Sequence, residues 1–348
     1  MQKTGPCHER PTKRIASLMA FFVAVVPFVE ASGFKVPADL GARSHPISSP
    51  CVKENSSVQK PEGSVITVVT IPFRLRSGFL VVVEGRIGPF AGLKFVLDTG
   101  TTHSMMDIKL ADRLNLSRQE GTVLNFDQPI KVGWTTIPEL QLGPLKARNL
   151  RMMVGSLGQV TEFADAVDAV IGLDVLRLSQ SLRIDFSQER LTIRTREDSE
   201  PPETDKTQAL LIHLDVQGQR VSLVLDTGLG RIVMFKDRLR KHFPYLELTR
   251  TTSGAREGRL KGQMADLSGI RLGSEEAQAR VFLIDRAPKS LPEDIDGFLG
   301  VRAFPLPVVE LNFEASSLVL NDARTTRASV VDLETVKTDS RPEVVTGP

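Results

Sequence analysis

The sequence predicts an all-β protein of two related lobes, each with one or two short helices. Three observations predict it: an internal repeat, strand-like patterning through both halves, and helical periodicity confined to short stretches after particular turns.

The repeat has four landmarks in one order. Val-Leu-Asp-Thr-Gly stands at Val96–Gly100 and again at Val224–Gly228, 128 residues on. Asp-x-apolar-apolar-Gly stands at Asp168–Gly172 and again at Asp296–Gly300, also 128 residues on. Leu140–Gly143 matches Ile270–Gly273 at an offset of 130, and Leu182–Phe186 matches Val309–Phe313 at 127. Chance supplies one short match, not a series at nearly constant spacing.

The local patterns are mostly those of strands. Phe79–Val83 and Leu210–Val216 carry β-rich or alternating sequence. Leu93–Leu97 and Val221–Leu225 are apolar runs leading straight into the two Asp-Thr-Gly turns. Arg183–Ile193 reads as a hairpin turning near Ser187-Gln188-Glu189. Ser104 is placed to cap a short helix through Leu114, and Phe235–His242, ended by Pro244, is its counterpart. A further short helix is expected after Gly172 and after Gly300.

These signals divide the chain. Residues 1–31 have a basic lead (Lys3, Arg10, Lys13, Arg14), an apolar run over Ile15–Val29 and a Val29-Glu30-Ala31 end. The run is short for a spanning helix, which needs about 20 residues. A secretory signal peptide cut near Ala31 is expected, hence export to a periplasmic or extracellular space; the alternative is an uncleaved anchor. Residues 32–66 read as a flexible spacer or pro-like segment, 67–196 as the first lobe, 197–207 as a charged, proline-bearing linker, 208–322 as the second lobe and 323–348 as a disordered tail.

Composition excludes several classes. The 44 basic and 42 acidic residues leave a formal net charge of +2, with no clustered basic excess for nucleic acid. Aromatic content of 5% argues against stacking platforms for single strands. Of two cysteines, Cys7 leaves with the signal peptide, so Cys51 has no intrachain partner. His8, His45, His213 and His242 show no metal-ligand spacing. No metal or cofactor is expected.

Each Asp-Thr-Gly places a carboxyl at the end of an apolar strand. Glycine at the third position lets backbone approach closely. Two such turns facing each other bring two carboxyls together, and like charges that close share one proton. One can then act as base toward a water while the other protonates a carbonyl oxygen.

Val96-Leu-Asp-Thr-Gly-Thr-Thr-His-Ser104, Val224-Leu-Asp-Thr-Gly228, Ala169-Val-Ile-Gly-Leu-Asp-Val-Leu176 and Gly297-Phe-Leu-Gly-Val301 resemble the aspartic proteases of the pepsin and retropepsin superfamily. The lobes are short, closer to bacterial retropepsin-like domains than to pepsins, and the chain looks like two such domains fused. The resemblance implies that Asp98 and Asp226 are catalytic. It implies that Thr99 and Thr227 make reciprocal hydrogen bonds and that Gly100 and Gly228 keep backbone near the carboxyls. It further implies that each lobe is a β-barrel, that the Thr101 hydroxyl supports the Asp98 carboxylate, and that Gly172 and Gly300 belong to the psi loops that cross behind the turns. The family's flaps map to Lys131–Trp134, with Gly133 and Trp134, and to Ser253–Gly258, with Gly254.

Departures are also visible. Leu229 stands where the family usually has Ser, Thr or Ala, and Arg231 follows, either near the cleft or facing solvent. The only tyrosine, Tyr245, is not at a flap position. Asp168 and Asp296 read as turn caps. His103 reads as a supporting or surface residue, and Trp134 as flap or core.

The expected function is an endopeptidase on peptide or protein substrates; the alternative is an inactive peptide-binding module. A two-lobed monomer is expected, with pairing of lobes between two chains as the other arrangement. Nucleic acid is not an expected partner, and a membrane is one only if the signal segment stays uncleaved.

Overall fold

Alternating and continuous apolar runs become strands throughout the protein, in a computed structural model that describes residues 23–25, 65–125, 128–157, 167–196, 208–257, 260–272, 275–304, 306–321 and 328–336. The rest of the signal-like segment, most of the spacer, the linker at 197–207, Cys7, Cys51, His8, His45 and Gly258 lie outside the described residues. No helix among the described residues is long and apolar enough to cross a membrane.

The first lobe opens with β1 (Val23–Val25), which pairs antiparallel with residues 123–125. Then come β2 (Ile66–Arg76), β3 (Leu80–Ile87), β4 (Phe90–Leu97) and β5 (Met105–Asp107). The long hairpins follow, as β6 (Gln119–Asn125), β7 (Gln128–Leu142) and β8 (Leu145–Gly155). β9 (Ala169–Ile171), β10 (Ser179–Asp185) and β11 (Arg190–Arg196) complete it.

The second lobe repeats the plan with β12 (Ala209–Val216), β13 (Gln219–Asp226), β14 (Ile232–Phe235), β15 (Leu248–Glu257) and β16 (Leu260–Leu272). β17 (Glu275–Ile284), β18 (Gly297–Gly300), β19 (Val308–Asn312), β20 (Ser317–Asn321) and β21 (Ala328–Val336) follow.

The strands that carry the aspartates sit in parallel pairings. β4 lies parallel to β9, with Leu97 opposite Ile171, and β13 lies parallel to β18, with Leu225 opposite Leu299. β9 and β18 also pair antiparallel with β5 and β14. A strand flanked this way is covered on both faces, which is why Phe95–Leu97 and Leu223–Leu225 read as unbroken apolar runs and are buried.

A third sheet joins the lobes in the order β2, β11, β10, β19, β20, β21. β10 meets β19 antiparallel, with Arg183 opposite Glu310 and Asp185 opposite Val308. The largest apolar cluster runs from Phe73 to Leu333 and draws on both lobes; each lobe also has its own smaller cluster.

Three details correct the sequence reading. Residues 328–336, assigned to a disordered tail, form β21. Its first half pairs with β20 and its second half with β12, with Leu333 buried at 5% exposure. β2 bridges β11 and β3 in the same way in the first lobe. The second lobe thus receives its outer strand from the C-terminal end of the chain. The polarity of the segment hid this: a strand covered mainly on one face alternates, and Val330, Asp332 and Glu334 supply the exposed positions.

Second, Ser104 does not cap a helix. Residues 105–107 pair as a strand, and α1 (Ile108–Arg113) starts one turn later, with Asp107 as N-cap accepting from Lys109 N at 2.9 Å. Third, α2 (Leu173–Leu176) follows Gly172, but the residues after Gly300 form turns and bends. The counterpart of α1 is α3 (Lys236–His242).

Candidate active site

The two Asp-Thr-Gly turns meet at the junction of the lobes. Thr99 Oγ1 donates to Leu225 O at 2.9 Å and accepts from Thr227 N at 3.1 Å. Thr227 Oγ1 donates to Leu97 O at 2.9 Å and accepts from Thr99 N at 3.0 Å. Each hydroxyl therefore satisfies a buried amide and a buried carbonyl of the opposite turn. Asn, whose side-chain oxygen and amide are separate atoms, could not do this with one atom.

This lock brings Asp98 and Asp226 into side-chain hydrogen-bond contact, both with 0% exposure. Asp98 Oδ1 accepts from Gly100 N at 2.8 Å, and Asp226 Oδ1 accepts from Gly228 N at 2.7 Å. The glycines also make the approach sterically feasible. A side chain on Gly100 would run into the Asp226 carboxyl, and one on Gly228 would crowd that of Asp98. The Asp226 carboxyl is held well above the usual carboxylate range. Burial is the largest cause, followed by the charge of Asp98 and the hydrogen bond with it, against the opposing pull of the Gly228 amide. One proton on the pair is therefore the favoured state.

Gly172 and Gly300 lie behind the turns. A side chain on Gly172 would strike the backbone of Thr101 and His103, and one on Gly300 the backbone of Leu229 and Arg231. Thr101 differs from its assigned role: its hydroxyl donates to His103 O at 3.0 Å and not to a carboxyl. It supports the loop that carries Asp98. Its counterpart Leu229 is buried at 2% exposure in the second lobe's own apolar cluster with Val224, Val233 and Phe298. Arg231 is half-buried with Nη1 3.6 Å from Met264 Sδ, and it is not among the groups that shift Asp226.

Asp168 and Asp296 act alike. Their Oδ2 atoms accept from Lys94 N at 2.8 Å and Ser222 N at 2.9 Å, tying the loops before β9 and β18 to the strands that carry Asp98 and Asp226.

The flap assignments fall on hairpins. Gly133 and Trp134 lie on β7, opposite Glu120 and Gln119 of β6. Trp134 is buried at 7% exposure, edge-on to His103 with centroids 5.6 Å apart, and the Arg151 guanidinium covers it at 4.6 Å. It joins β7 to the loop that follows Asp98, and His103 is the residue it meets. Gly254 is exposed on β15 at φ +75°, with open space where a side chain would stand.

One residue of the site is absent from the sequence reading. Asp174, the second residue of α2, is buried at 1% exposure and accepts from Ser104 Oγ at 2.6 Å and Ser104 N at 2.8 Å. A charged residue inside the apolar run Val170-Ile-Gly-Leu-Asp-Val-Leu176 was the available signal. Among the described residues, no group of three or more His, Cys, Asp or Glu is placed to hold a metal ion.

Residues 83–178 match the family model described as "gag-polyprotein putative aspartyl protease". No curated protein matches the chain. Among solved structures, a retropepsin-like aspartic protease from Rickettsia conorii is similar at 16% identity, covering 39% of this chain and 98% of that one, with a TM-score of 0.29. The matched segment contains the first Asp-Thr-Gly turn and the psi-loop glycine behind it, so the similarity to retropepsin-like aspartyl proteases is that of this segment of the first lobe.

Proposed function

We propose that the chain is an aspartic endopeptidase whose single site is made by Asp98 and Asp226 at the lobe junction. The observation that carries this reading is the buried, hydrogen-bonded pair of carboxyls locked by Thr99 and Thr227. The pair carries one shared proton; written on Asp226 in this reading, it leaves Asp98 as the ionised partner.

The reaction then balances without a covalent intermediate. A water gives its proton to Asp98 as its oxygen bonds to the scissile carbonyl carbon. Asp226 gives its proton to the carbonyl oxygen. The tetrahedral diol collapses, the C–N bond breaks, and the leaving nitrogen takes the proton from Asp98 while Asp226 is reprotonated from the diol hydroxyl. An extended peptide fits as an added strand between the β6–β7 and β15–β16 hairpins.

Both aspartates come from one chain, and the shared six-stranded sheet supports a monomer over pairing between chains. The basic lead and short apolar run at the N-terminus favour export, either as a released protein or on an uncleaved anchor.

A second reading is a peptide-binding module without cleavage. Leu229 favours it, because a bulkier side chain that cannot donate a hydrogen bond stands where the family usually has Ser, Thr or Ala. Kinetics of single and double variants decide. In an enzyme, Asp98→Asn and Asp226→Asn each lower kcat by about 10³-fold or more, and the double variant is little worse. Wild-type protein that binds library peptides between mildly acidic and neutral pH but cuts none refutes the peptidase.

A further inference from the structure

The two catalytic turns are locked to each other symmetrically but are backed by different chemistry. Behind the first, Ser104 Oγ donates to Asp174 Oδ1 and accepts from Gly172 N at 3.0 Å, while Ser104 N donates to Asp174 Oδ2. Leu173 N donates to Thr101 O at 3.0 Å, and Asp174 N to Thr102 O at 3.2 Å. The segment 101–104, which continues directly from Asp98-Thr99-Gly100, is thus stitched to the start of α2.

The second lobe lacks this device. At the 128-residue offset Ile232 stands for Ser104 and Arg302 for Asp174. Ile232 is buried among apolar side chains. Arg302 turns away, with Nη1 donating to Leu306 O at 2.9 Å and its guanidinium over the Phe186 ring at 4.5 Å.

A buried carboxyl is costly unless its oxygens are filled. Asp174 fills both from a single residue, using one amide N–H and one hydroxyl. Asn could accept at one oxygen only and would turn an amide donor toward another donor. The choice of a carboxylate here therefore matches the segment it holds.

We propose that Asp174 is a positioning residue for Asp98, acting through Ser104 to fix the first catalytic turn at contact distance from Asp226. The inference rests on the two aspartates forming one dyad, as in the peptidase reading. It adds that the first carboxyl is positioned by a polar clamp and the second by apolar packing around Leu229 and Ile232.

The test is a carboxyl-carbon NMR titration of the full-length protein labelled with ¹³C-aspartate, as wild type, Asp174→Asn and Ser104→Ala. Two carboxyls in contact titrate in two separated steps, and the gap measures how tightly they are held together. Removing a nearby charge moves both steps the same way, whereas loosening the turn narrows the gap. The clamp predicts a gap narrower by about one unit or more in both variants. Ser104→Ala leaves the charge of Asp174 in place, so it decides alone if Asp174→Asn does not fold. An unchanged gap overturns the proposal, as does a wild type without two separated steps. The readout needs no cleavage, so a wild type that titrates as a dyad but cuts no peptide sinks the peptidase and still tests the clamp.

Discussion

Thr99 and Thr227, 128 residues apart, exchange backbone N–H to hydroxyl hydrogen bonds across the lobe junction at 3.0 and 3.1 Å. Each hydroxyl also reaches the carbonyl preceding the other turn's aspartate at 2.9 Å. Removing one hydroxyl orphans a buried amide and a buried carbonyl at once. Thr227→Ala is expected to cost about 2–6 kcal/mol at about 1–3 kcal/mol per unsatisfied group. Thr227→Ser keeps the hydroxyl and should recover most of the loss. Urea unfolding of the three proteins checks this, and equal stability of Ala and Ser variants would contradict the lock.

Asp174 and Asp226 should each contribute stability that is lost as pH rises. Asp174 has its carboxyl raised from 3.8 to about 6, mainly by burial, against hydrogen bonds from Ser104 and backbone that favour the ionised form. A raised folded-state pKa means the native state binds more protons, so its contribution is complete below pH 3.8 and is lost as pH climbs through about 6. At 1.36 kcal/mol per unit the loss is about 3 kcal/mol. Asp226 adds a loss of the same sign at higher pH, since its carboxyl is also raised. Unfolding free energies measured from pH 3.5 to 8 should show the decline. Asp174→Asn should flatten it around pH 4–6, and Asp226→Asn should flatten its upper part.

Leu229 tests whether the second turn depends on packing. It is buried with Val224, Val233 and Phe298, so Leu229→Ala should cost about 2–5 kcal/mol. Leu229→Ser adds a buried hydroxyl and should cost at least as much. Thermal melts give the ranking; a serine variant as stable as wild type would mean the site already accommodates a polar group.

β21 closes two sheets. A chain ending at Asn321 bares the β12 edge at Leu211–Ile212 and the β20 edge at Leu318–Leu320. Unpaired edges recruit other strands. The truncated protein should self-associate on size-exclusion chromatography and melt at lower temperature than the full chain. Restoring residues through Val336 should reverse both effects.

Much of the architecture was legible in the sequence. The constant offset between the two Asp-Thr-Gly turns and their psi-loop glycines predicts two similar strand-and-turn arrangements, because an aspartate after an apolar strand and a glycine at a crowded crossing are local requirements. That logic extends to the carboxyl pair, whose chemistry needs only that the two turns meet. The tertiary structure alone decided what depends on contacts between distant residues. Ser104 looks like a helix cap until residues 105–107 are seen paired between β8 and β9, which frees its hydroxyl for Asp174. Thr101 looks like a partner for the carboxyl until its hydroxyl is seen on His103 O. β21 looks like a tail until β12 and β20 are found with open edges for it to fill. In each case nearby sequence offers a hydrogen-bonding group two equally good local partners, and only long-range packing selects between them.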